Sequence, residues 1–347
     1  MSIFFTIIIL GLIIFLHELG HFLTAKYYKM PVLEFAIGMG PRIFTKKINE
    51  TNYSIRILPL GGFVNIDGMQ PSDDPEKNVK NGFYTKSPLS RFVVLIAGIM
   101  MNFISAIIGI FILLSITGVV PPKYIKPVIK TVQEKSAAKN ILQAEDKIIG
   151  LNGKKINNWQ DLTLTVMEIN QKGYKNEEIP IKILRNNKEM NEKIRLTYNE
   201  ERKMSLLGIE AAQTKVSVLK KIEISFYTFG NYLGIMIDGL KMLVTGKVSM
   251  NEVTGPVGLP KFVGQAYELG GGTALINIFI LLSINIGLMN LLPIPALDGG
   301  RILFVIPEFF GIKMNKKIEE RIHMVGMLIL FGLMIIIVFN DIFKYMK

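Results

Sequence analysis

Cysteine is absent from this chain of 347 residues, and histidine occurs only three times. The absence of cysteine excludes disulfide bonds and every metal site that uses a thiolate ligand. The histidines are His17, His21 and His323. Any zinc site in this chain must therefore combine histidine with carboxylate or water ligands.

A basic surface of the kind that binds nucleic acid is also missing. The chain has 40 Lys and Arg against 28 Asp and Glu, a net charge of +12, but the basic residues are spread along it. No basic helix carries interleaved aromatic residues, and no nucleic-acid-binding module is recognisable. We therefore expect no nucleic-acid partner and attribute the charge to a lipid bilayer, whose anionic lipids attract Lys and Arg.

Apolar residues, by contrast, are abundant: 50% of the chain is hydrophobic and the mean hydropathy is +0.37. The excess is concentrated in runs at 3–25, 92–118, 273–297 and 324–339, of which the last is short and must extend into its flanks. A bilayer has a hydrocarbon layer about 30 Å thick, which such runs can cross as helices. The sequence therefore predicts an α-helical multi-pass membrane protein with about four transmembrane helices. The first run has no basic leader and no small-residue cleavage site, so we expect it to be retained.

The charges that flank these runs predict their orientation, because basic loops stay in the cytoplasm. Basic residues precede the second run and separate the third from the fourth. They are Lys77, Lys80, Lys86 and Arg91, and then Arg301, Lys313, Lys316, Lys317 and Arg321. Both termini and the segment 119–268 are then extracytoplasmic.

The extracytoplasmic segment has the pattern of a small β-rich module. Two hairpins are indicated, one turning at Asn152-Gly153 and one at Asn186-Asn187, with a helical pattern at 159–169 between them. Residues 216–243 are apolar but carry five charged residues, which favours a helix on the membrane surface over a span.

A further hairpin is predicted in the first cytoplasmic loop. Residues 53–58 and 63–66 have the pattern of strands, and Pro59-Leu60-Gly61-Gly62 lies between them. Proline followed by glycine is typical of a tight turn.

The strongest chemical signal is the sequence HELGH at residues 17–21, inside the first apolar run. Residues four apart lie on one face of a helix, so His17 and His21 can bind one Zn²⁺. Glu18 lies about 100° around the helix, where it can accept a proton from a metal-activated water. Ionisable groups in a transmembrane helix are energetically unfavourable and usually mark function. We interpret the motif as a catalytic metal site rather than a chance match or a structural polar cluster.

A third protein ligand is needed to complete such a site. The candidates are His323, Glu34, Asp67 and Asp298. The first and third runs cross the bilayer in the same direction, so Asp298, at the inner end of the third, can meet the histidine pair at a similar depth. Prolines end the helix just before Asp298, and irregular backbone within a membrane must be buried in protein or line a wet cavity. That Asp298 merely caps the next helix remains an alternative on this reasoning.

Taken together, these motifs resemble the site-2 protease family, in particular its bacterial regulator-of-sigma-E protease type. The resemblance covers almost the whole chain. Its segments are HELGH at 17–21, EFAIGMGP at 34–41, LPLGGFV at 58–64, KSPLSRFVVLIAGIMMNF at 86–103, TGPVG at 254–258, SINIGLMNLLPIPALDGGR at 283–301 and NDIF at 340–343. The order of HELGH on the first run and NLLPIPALDGG on the third is highly specific.

The resemblance implies an intramembrane zinc metalloendopeptidase with one Zn²⁺ per chain. It implies that His17, His21 and Asp298 bind the metal and that Glu18 is the catalytic base. It also implies that Asn290 contacts the backbone of the substrate.

Other glycines and one asparagine match the family as well. The resemblance implies that the hairpin of Gly61 and Gly62 dips into the membrane and offers a strand edge to an unwound substrate. From the residues alone, these glycines indicate an ordinary turn. Gly98 and Asn102 match a pattern on the second span, and by themselves they indicate close helix packing and an interhelical hydrogen bond.

Residues 136–156 resemble part of a PDZ domain, which completes the predicted organisation. Segment 1–118 would hold the first two transmembrane helices, HExxH and the hairpin, and 119–212 one extracytoplasmic PDZ-like α+β module. Segment 213–272 would be a juxtamembrane amphipathic region, and 273–347 would hold the last two helices with the Asp298 motif. The module is expected to exclude substrates that retain a bulky outer domain.

The resemblance also implies the substrates and the location. We expect single-span membrane proteins, such as anti-sigma factors and signal-peptide remnants, in the bacterial inner membrane. The active site would lie toward the cytoplasm. A non-hydrolytic scaffold that binds peptides and holds zinc structurally is an alternative, but such a site has no need of Glu18. A transporter would account for the interrupted third run, but no inverted repeat supports it.

Overall fold

The computed structural model describes residues 1–69, 80–172, 177–200, 203–212, 215–247, 255–312 and 314–346; Thr254 of the TGPVG motif lies outside them. The helices are α1 (Ser2–Tyr27), α2 (Pro88–Thr117), α3 (Trp159–Gln171), α4 (Val218–Val244), α5 (Leu259–Leu291), α6 (Asp298–Val305) and α7 (Lys316–Met346). The strands are β1 (Val32–Ile48), β2 (Thr51–Ile66), β3 (Ile129–Val132), β4 (Lys147–Leu151), β5 (Lys154–Lys155), β6 (Ile179–Arg185), β7 (Lys188–Ile194), β8 (Thr197–Asn199), β9 (Met204–Leu206) and β10 (Ile209–Ala211). The chain divides into two compact units, Met1–Leu113 with Ser225–Lys347, and Leu114–Ile224.

Among the described residues, four helices are long and apolar enough to cross a membrane: α1, α2, α5 and α7. Each overlaps one of the four apolar runs, which confirms the predicted number of membrane-spanning helices. α7 extends beyond both ends of the short fourth run. The segment 216–243 is helical, as α4, and its position on a membrane surface stays a prediction.

The third apolar run differs from the prediction at both ends. α5 begins at Leu259 and is interrupted at Gly271, whose φ of 57° and ψ of −142° suit only glycine. It ends at Leu291 because Pro293 cannot continue the helical hydrogen bonds. Residues 292–297 form an irregular connection between α5 and α6.

β1 and β2 form one sheet in which each strand is long and bent. Residues 34–37 of β1 pair with 62–65 on one side and with 52–55 on the other. Phe35 and Ala36 in this central segment are buried. The first half of β1 therefore lies between the two halves of β2.

The predicted turn at Gly61-Gly62 is wrong. Both glycines lie inside β2, and the chain reverses at Asn49 and Glu50 instead. The two strand-like segments on either side of the glycines are not neighbours, because residues 34–37 separate them. Gly61 has a φ of 90°, which lets β2 change direction without a hairpin.

Two apolar clusters fix α1 within the first unit. One joins α1 to α2, α6 and the sheet, and the other joins α1 to α5. The first contains Ala25, Met30, Val32, Ile66, Phe83, Val94, Leu95, Ile99, Ile302 and Val305, and the second Ile9, Ile13, Val263 and Ile278. Because α1 belongs to both clusters, the helix that carries HELGH is held on several sides.

The second unit contains a four-stranded sheet of order β5–β4–β6–β7, two two-stranded sheets, β10–β3 and β8–β9, and α3. Both predicted hairpins are present, β4–β5 and β6–β7. Their turn residues have positive φ, as the favoured two-residue hairpin turns require. Residues Asn152, Gly153, Asn186 and Asn187 form these turns.

α3 confirms the predicted helix between the hairpins. It begins after Asn158, whose side chain accepts a hydrogen bond from the backbone N–H of Asp161. Such a cap satisfies one of the free N–H groups of the first turn. The buried face of α3 packs in the unit's core, which includes Ile129, Leu142, Ile148, Leu151, Leu162, Ile169, Ile181, Ile183 and Ile194.

Candidate metal centre

α1 carries two buried histidines four residues apart. His17 and His21 are 7% and 5% exposed, and their Nε2 atoms lie 3.1 Å apart. The other ring nitrogen of His21, Nδ1, lies 2.7 Å from the carbonyl oxygen of Val94 on α2. A carbonyl only accepts, so Nδ1 of His21 carries the proton and Nε2 presents its lone pair.

Asp298 joins the pair from the first residue of α6. Its Oδ2 lies 3.0 Å from His17 Nε2 and 3.2 Å from His21 Nε2. Oδ2 is buried, yet no hydrogen bond of ordinary geometry reaches it. The cap position of α6 is held by Leu297, and no side chain caps the helix there. The geometry therefore places Asp298 against the histidines rather than in the role of a helix cap.

The three facing atoms fit a zinc ion. Ligands about 2.0–2.1 Å from a tetrahedral zinc are separated by about 3.3 Å, close to the distances between these three atoms. Among the described residues, this is the one group of three His or carboxylate side chains close enough to share a metal. Two imidazoles and one carboxylate leave a coordination position open, which is typical of catalytic zinc.

Asp298 reaches the histidines because the chain before α6 is tightly folded. A Cβ at Gly299 would lie 2.4 Å from the carbonyl oxygen of Leu291, and one at Gly300 would lie 2.2 Å from that of Ile294. Both distances are far below any ordinary contact. The two glycines are thus required for the turn that presents Asp298.

α7 supports the same connection from the other side. Ala296 has a φ of 79°, unusual for a residue with a side chain, and its N–H donates to His323 Nδ1 at 2.9 Å. A Cβ at Gly326 would lie 2.4 Å from Pro295 Cβ. His323, a candidate ligand by sequence, thus contacts the backbone near Asp298 and is outside the three-residue cluster.

α1 and α2 approach each other closely at the histidines. A Cβ at Gly20 would lie 2.4 Å from the carbonyl oxygen of Ala97. A Cβ at Gly98 would lie 2.4 Å from His21 Nε2 and 2.8 Å from His17 Cε1. Gly20 therefore allows the two helices to approach, and Gly98 leaves the space that the two imidazoles occupy.

Glu18 points from α1 toward the sheet. Its Oε2 accepts a hydrogen bond of 3.0 Å from the backbone N–H of Val64 in β2. Alternate residues of a strand direct their backbone groups to the same edge, so Gly62 shares this edge with Val64. Among the described strands β2 pairs only with β1, so the edge beside Glu18 is unpaired.

The remaining predicted substrate residues lie near this edge or near the connection to α6. A Cβ at Gly62 would lie 3.9 Å from Glu18 Cγ, and one at Gly61 would lie 3.8 Å from Ile14 Cδ1 of α1. Asn290 is in the last turn of α5 and is half-buried. The structure thus places Gly62 beside Glu18.

Two other acidic candidates are engaged elsewhere. Glu34 is buried and accepts hydrogen bonds from Arg42 Nη2 at 2.6 Å, from Arg56 Nη2 at 2.9 Å and from Ser54. Burial alone would raise the pKa of Glu34, but these hydrogen bonds and the charge of Arg56 hold its pKa at about 2. Asp67 makes backbone hydrogen bonds at the end of the sheet and is not part of the metal cluster.

Sequence reasoning missed the contributions of Val94 and Val64, which act through a backbone carbonyl and a backbone N–H. Any residue type supplies these groups, so no sequence signal marks them. Asn102 was expected to make an interhelical hydrogen bond, and its Nδ2 lies 3.3 Å from His17 Nδ1. Its spacing of four residues from Gly98 was the available signal.

One protein family and several full-length relatives match nearly all of the chain. The sequence profile of peptidase family M50 matches residues 5–333. A Fusobacterium nucleatum protein with the provisional name zinc metalloprotease is 43% identical, with 99% of each chain covered. Zinc metalloprotease RasP of Geobacillus kaustophilus is 29% identical, covering 99% of this chain and 98% of that one. The regulator of sigma-W protease RasP of Bacillus subtilis is also 29% identical, with 97% of each chain covered.

Two solved structures are similar to part of the chain, both PDZ domains of SdrC-like proteins. The domain from Listeria innocua is 21% identical, with a TM-score of 0.23, and covers 26% of this chain and 97% of its own. The domain from Listeria monocytogenes is 19% identical, with a TM-score of 0.23, and covers 27% of this chain and 94% of its own.

Proposed function

The chain belongs to peptidase family M50 and is a zinc metalloprotease of the membrane, and on that premise we propose that it hydrolyses peptide bonds of other membrane proteins within or beside the bilayer. One observation carries the proposal. The imidazoles of His17 and His21 and the carboxylate of Asp298 converge closely enough to share one metal ion. Both histidines lie with Glu18 on α1, a helix apolar enough to cross a membrane. Ionisable groups in such a helix require a functional reason.

The proposed ligands are His17 and His21 through Nε2 and Asp298 through Oδ2. A zinc ion with three protein ligands supplies a water of lowered pKa and polarises the carbonyl that is attacked. Val94 contributes by holding the His21 ring, because its carbonyl oxygen accepts from Nδ1 and leaves the lone pair of Nε2 facing the other ligands.

Glu18 is the proposed general base and acid. It takes a proton from the water as the water oxygen bonds to the carbonyl carbon. It then gives that proton to the amine nitrogen as the carbon–nitrogen bond breaks. The N–H of Val64 holds one carboxylate oxygen, which orients the side chain.

The unpaired edge of β2 is the proposed substrate site. A transmembrane helix satisfies its own backbone groups, so it must unwind before a peptide bond can be attacked. An extended segment added to the edge at Gly62 would keep its backbone groups paired while it lies beside Glu18. Gly61 and Asn290 are proposed to contact the same segment.

The exposed surface of the sheet supports this arrangement. Its exposed side chains are largely apolar, as expected of a surface that meets lipid or an apolar partner. They include Ile37, Met39, Ile43, Phe44, Ile55, Ile57 and Leu58.

The proposed substrates are single-span membrane proteins, such as anti-sigma factors and signal-peptide remnants. The name of the Bacillus subtilis relative, a regulator of sigma-W protease, supports the first class. The proposed location is the bacterial inner membrane, with both termini outside and the active site toward the cytoplasm, from the positions of the basic loops. Segment 119–212 is proposed as a PDZ-like filter against bulky outer domains, and 213–272 as a juxtamembrane helix region.

The test is cleavage of a single-span substrate by the purified protein in detergent, with zinc measured per chain. Wild type is expected to cut, and Glu18→Gln is expected to hold the same zinc and to lose cleavage, because only the proton carrier is removed. Glu189→Gln, an exposed site on β7, is the matched control and should cut like wild type. Zinc in both proteins with no cleavage by either, across several truncated substrates, would favour the non-hydrolytic scaffold.

A further inference from the structure

Three residues of α2 face the two histidines at intervals of four. Val94 accepts from His21 Nδ1, Gly98 leaves space for both rings, and the side chain of Asn102 lies 3.3 Å from His17 Nδ1. Residues at i, i+4 and i+8 lie on one face of a helix. One stripe of α2 therefore lies against both imidazoles.

The tautomer of His17 follows from its surroundings. Its Nε2 lies 3.0 Å from Asp298 Oδ2 and 3.1 Å from His21 Nε2, and to bind a cation there it must present a lone pair. The proton of a neutral imidazole then sits on Nδ1. A buried Nδ1–H needs an acceptor, since an unpaired buried donor is destabilising.

Asn102 is placed to be that acceptor. It is fully buried, its Nδ2 faces His17, and its Oδ1 is buried without a hydrogen-bond partner. The two ends of a carboxamide have nearly the same shape, so half a turn about the last bond exchanges them. That exchange brings Oδ1 to the His17 N–H and pairs two groups that otherwise lack partners.

We propose that Asn102 is a positioning residue of the metal centre, whose Oδ1 accepts a hydrogen bond from His17 Nδ1–H and keeps the Nε2 lone pair directed at the cation. The proposal rests on the function proposed above. It concerns zinc affinity, which is measurable in protein that does not cut.

Zinc affinity of substituted proteins is the first test. Variants are made in the full chain carrying Glu18→Gln, and zinc binding to the metal-free protein is measured by competition with a chelator. Asn102→Leu has no acceptor and is expected to bind zinc about 10- to 100-fold more weakly, the usual effect of losing such a partner. Asn102→Asp keeps an acceptor oxygen at the same place and should stay within a few-fold of the parent. Asn277→Leu is the control, because Asn277 on α5 also has a buried, unpartnered amide oxygen.

A second measurement needs no substitution at Asn102, so it tests the proposed hydrogen bond even if Asn102→Leu fails to fold. The chain has only three histidines, so selective ¹⁵N-histidine labelling gives three sets of ring signals. With zinc bound, His17 and His21 should both show a protonated Nδ1 that exchanges slowly with water. A His17 Nδ1 without a proton would overturn the proposal.

The possible outcomes distinguish failure of the Asn102 role from failure of the proposed function. A parent protein that binds no zinc would defeat the proposed function itself. Parent protein that binds zinc, with Asn102→Leu binding equally well, would defeat only the role of Asn102. Equal losses in Asn102→Leu and Asn102→Asp would show that the amide acts as a donor or by packing, and would also overturn the proposal.

Discussion

Replacement of Gly98 by alanine is expected to disable the metal centre without removing any of its ligands. A Cβ at this position would lie 2.4 Å from His21 Nε2 and 2.8 Å from His17 Cε1. Non-bonded carbon and nitrogen atoms settle at about 3.5 Å. The added methyl group must therefore displace the His21 ring by about 1 Å, or separate the two helices by a similar amount.

A displacement of that size exceeds what a catalytic zinc site tolerates. Metal–ligand distances hold within about 0.2 Å, and a misplacement of about 1 Å can lower a rate by about 100-fold. His21 has little freedom to retreat, because its Nδ1 is held by the carbonyl of Val94. We expect Gly98→Ala to cut at least about 100-fold more slowly than wild type and to retain little zinc.

The assay is zinc per chain together with cleavage of a single-span substrate, for proteins purified in the same detergent. Gly109→Ala on the same helix is the matched control, since its Cβ would lie 2.9 Å from Ile280 Cγ1, at a flexible apolar side chain. Overpacking at either position lowers stability by about 1–3 kcal/mol, but only Gly98 adjoins the imidazoles. Wild-type zinc content and cleavage in Gly98→Ala would refute the reasoning.

Two further predictions concern stability. Asp341 on α7 is buried and accepts from the backbone N–H groups of Gly255, Val257 and Gly258 at 2.9–3.2 Å, before α5 begins. Asp341→Ala leaves these donors unpaired and should lower the free energy of unfolding by about 1–3 kcal/mol; an unchanged melting temperature would contradict this. The pKa of Glu34 is held at about 2, below the unfolded value of about 4.3, so its stabilising effect is present above about pH 4.3 and lost as pH falls toward 2. The difference in melting temperature between wild type and Glu34→Gln should therefore shrink from pH 5 to pH 3, and a constant difference would argue against the assignment.

Local patterns were sufficient for much of the fold. Four apolar runs predicted four long helices because the thickness of a bilayer sets the length that a spanning helix needs. The hairpins at Asn152-Gly153 and Asn186-Asn187 were predictable because few residues adopt the positive φ of such turns. The failure at Gly61-Gly62 has a physical reason as well. The strand segments before and after these glycines both pair with residues 34–37 and not with each other. Residues 34–37 are distant in sequence, so the local pattern around the glycines does not predict this pairing.

The chemistry of α1 follows from the sequence, since a helix alone brings His17 and His21 to one face and sets Glu18 beside them. The convergence of Asp298 on that pair depends on packing between segments about 280 residues apart, and on turns that only Gly299 and Gly300 permit. The groups that orient the site were set by tertiary structure alone. The carbonyl of Val94 and the N–H of Val64 are backbone atoms that every residue type but proline supplies alike, so only their position in the folded chain gives them a role.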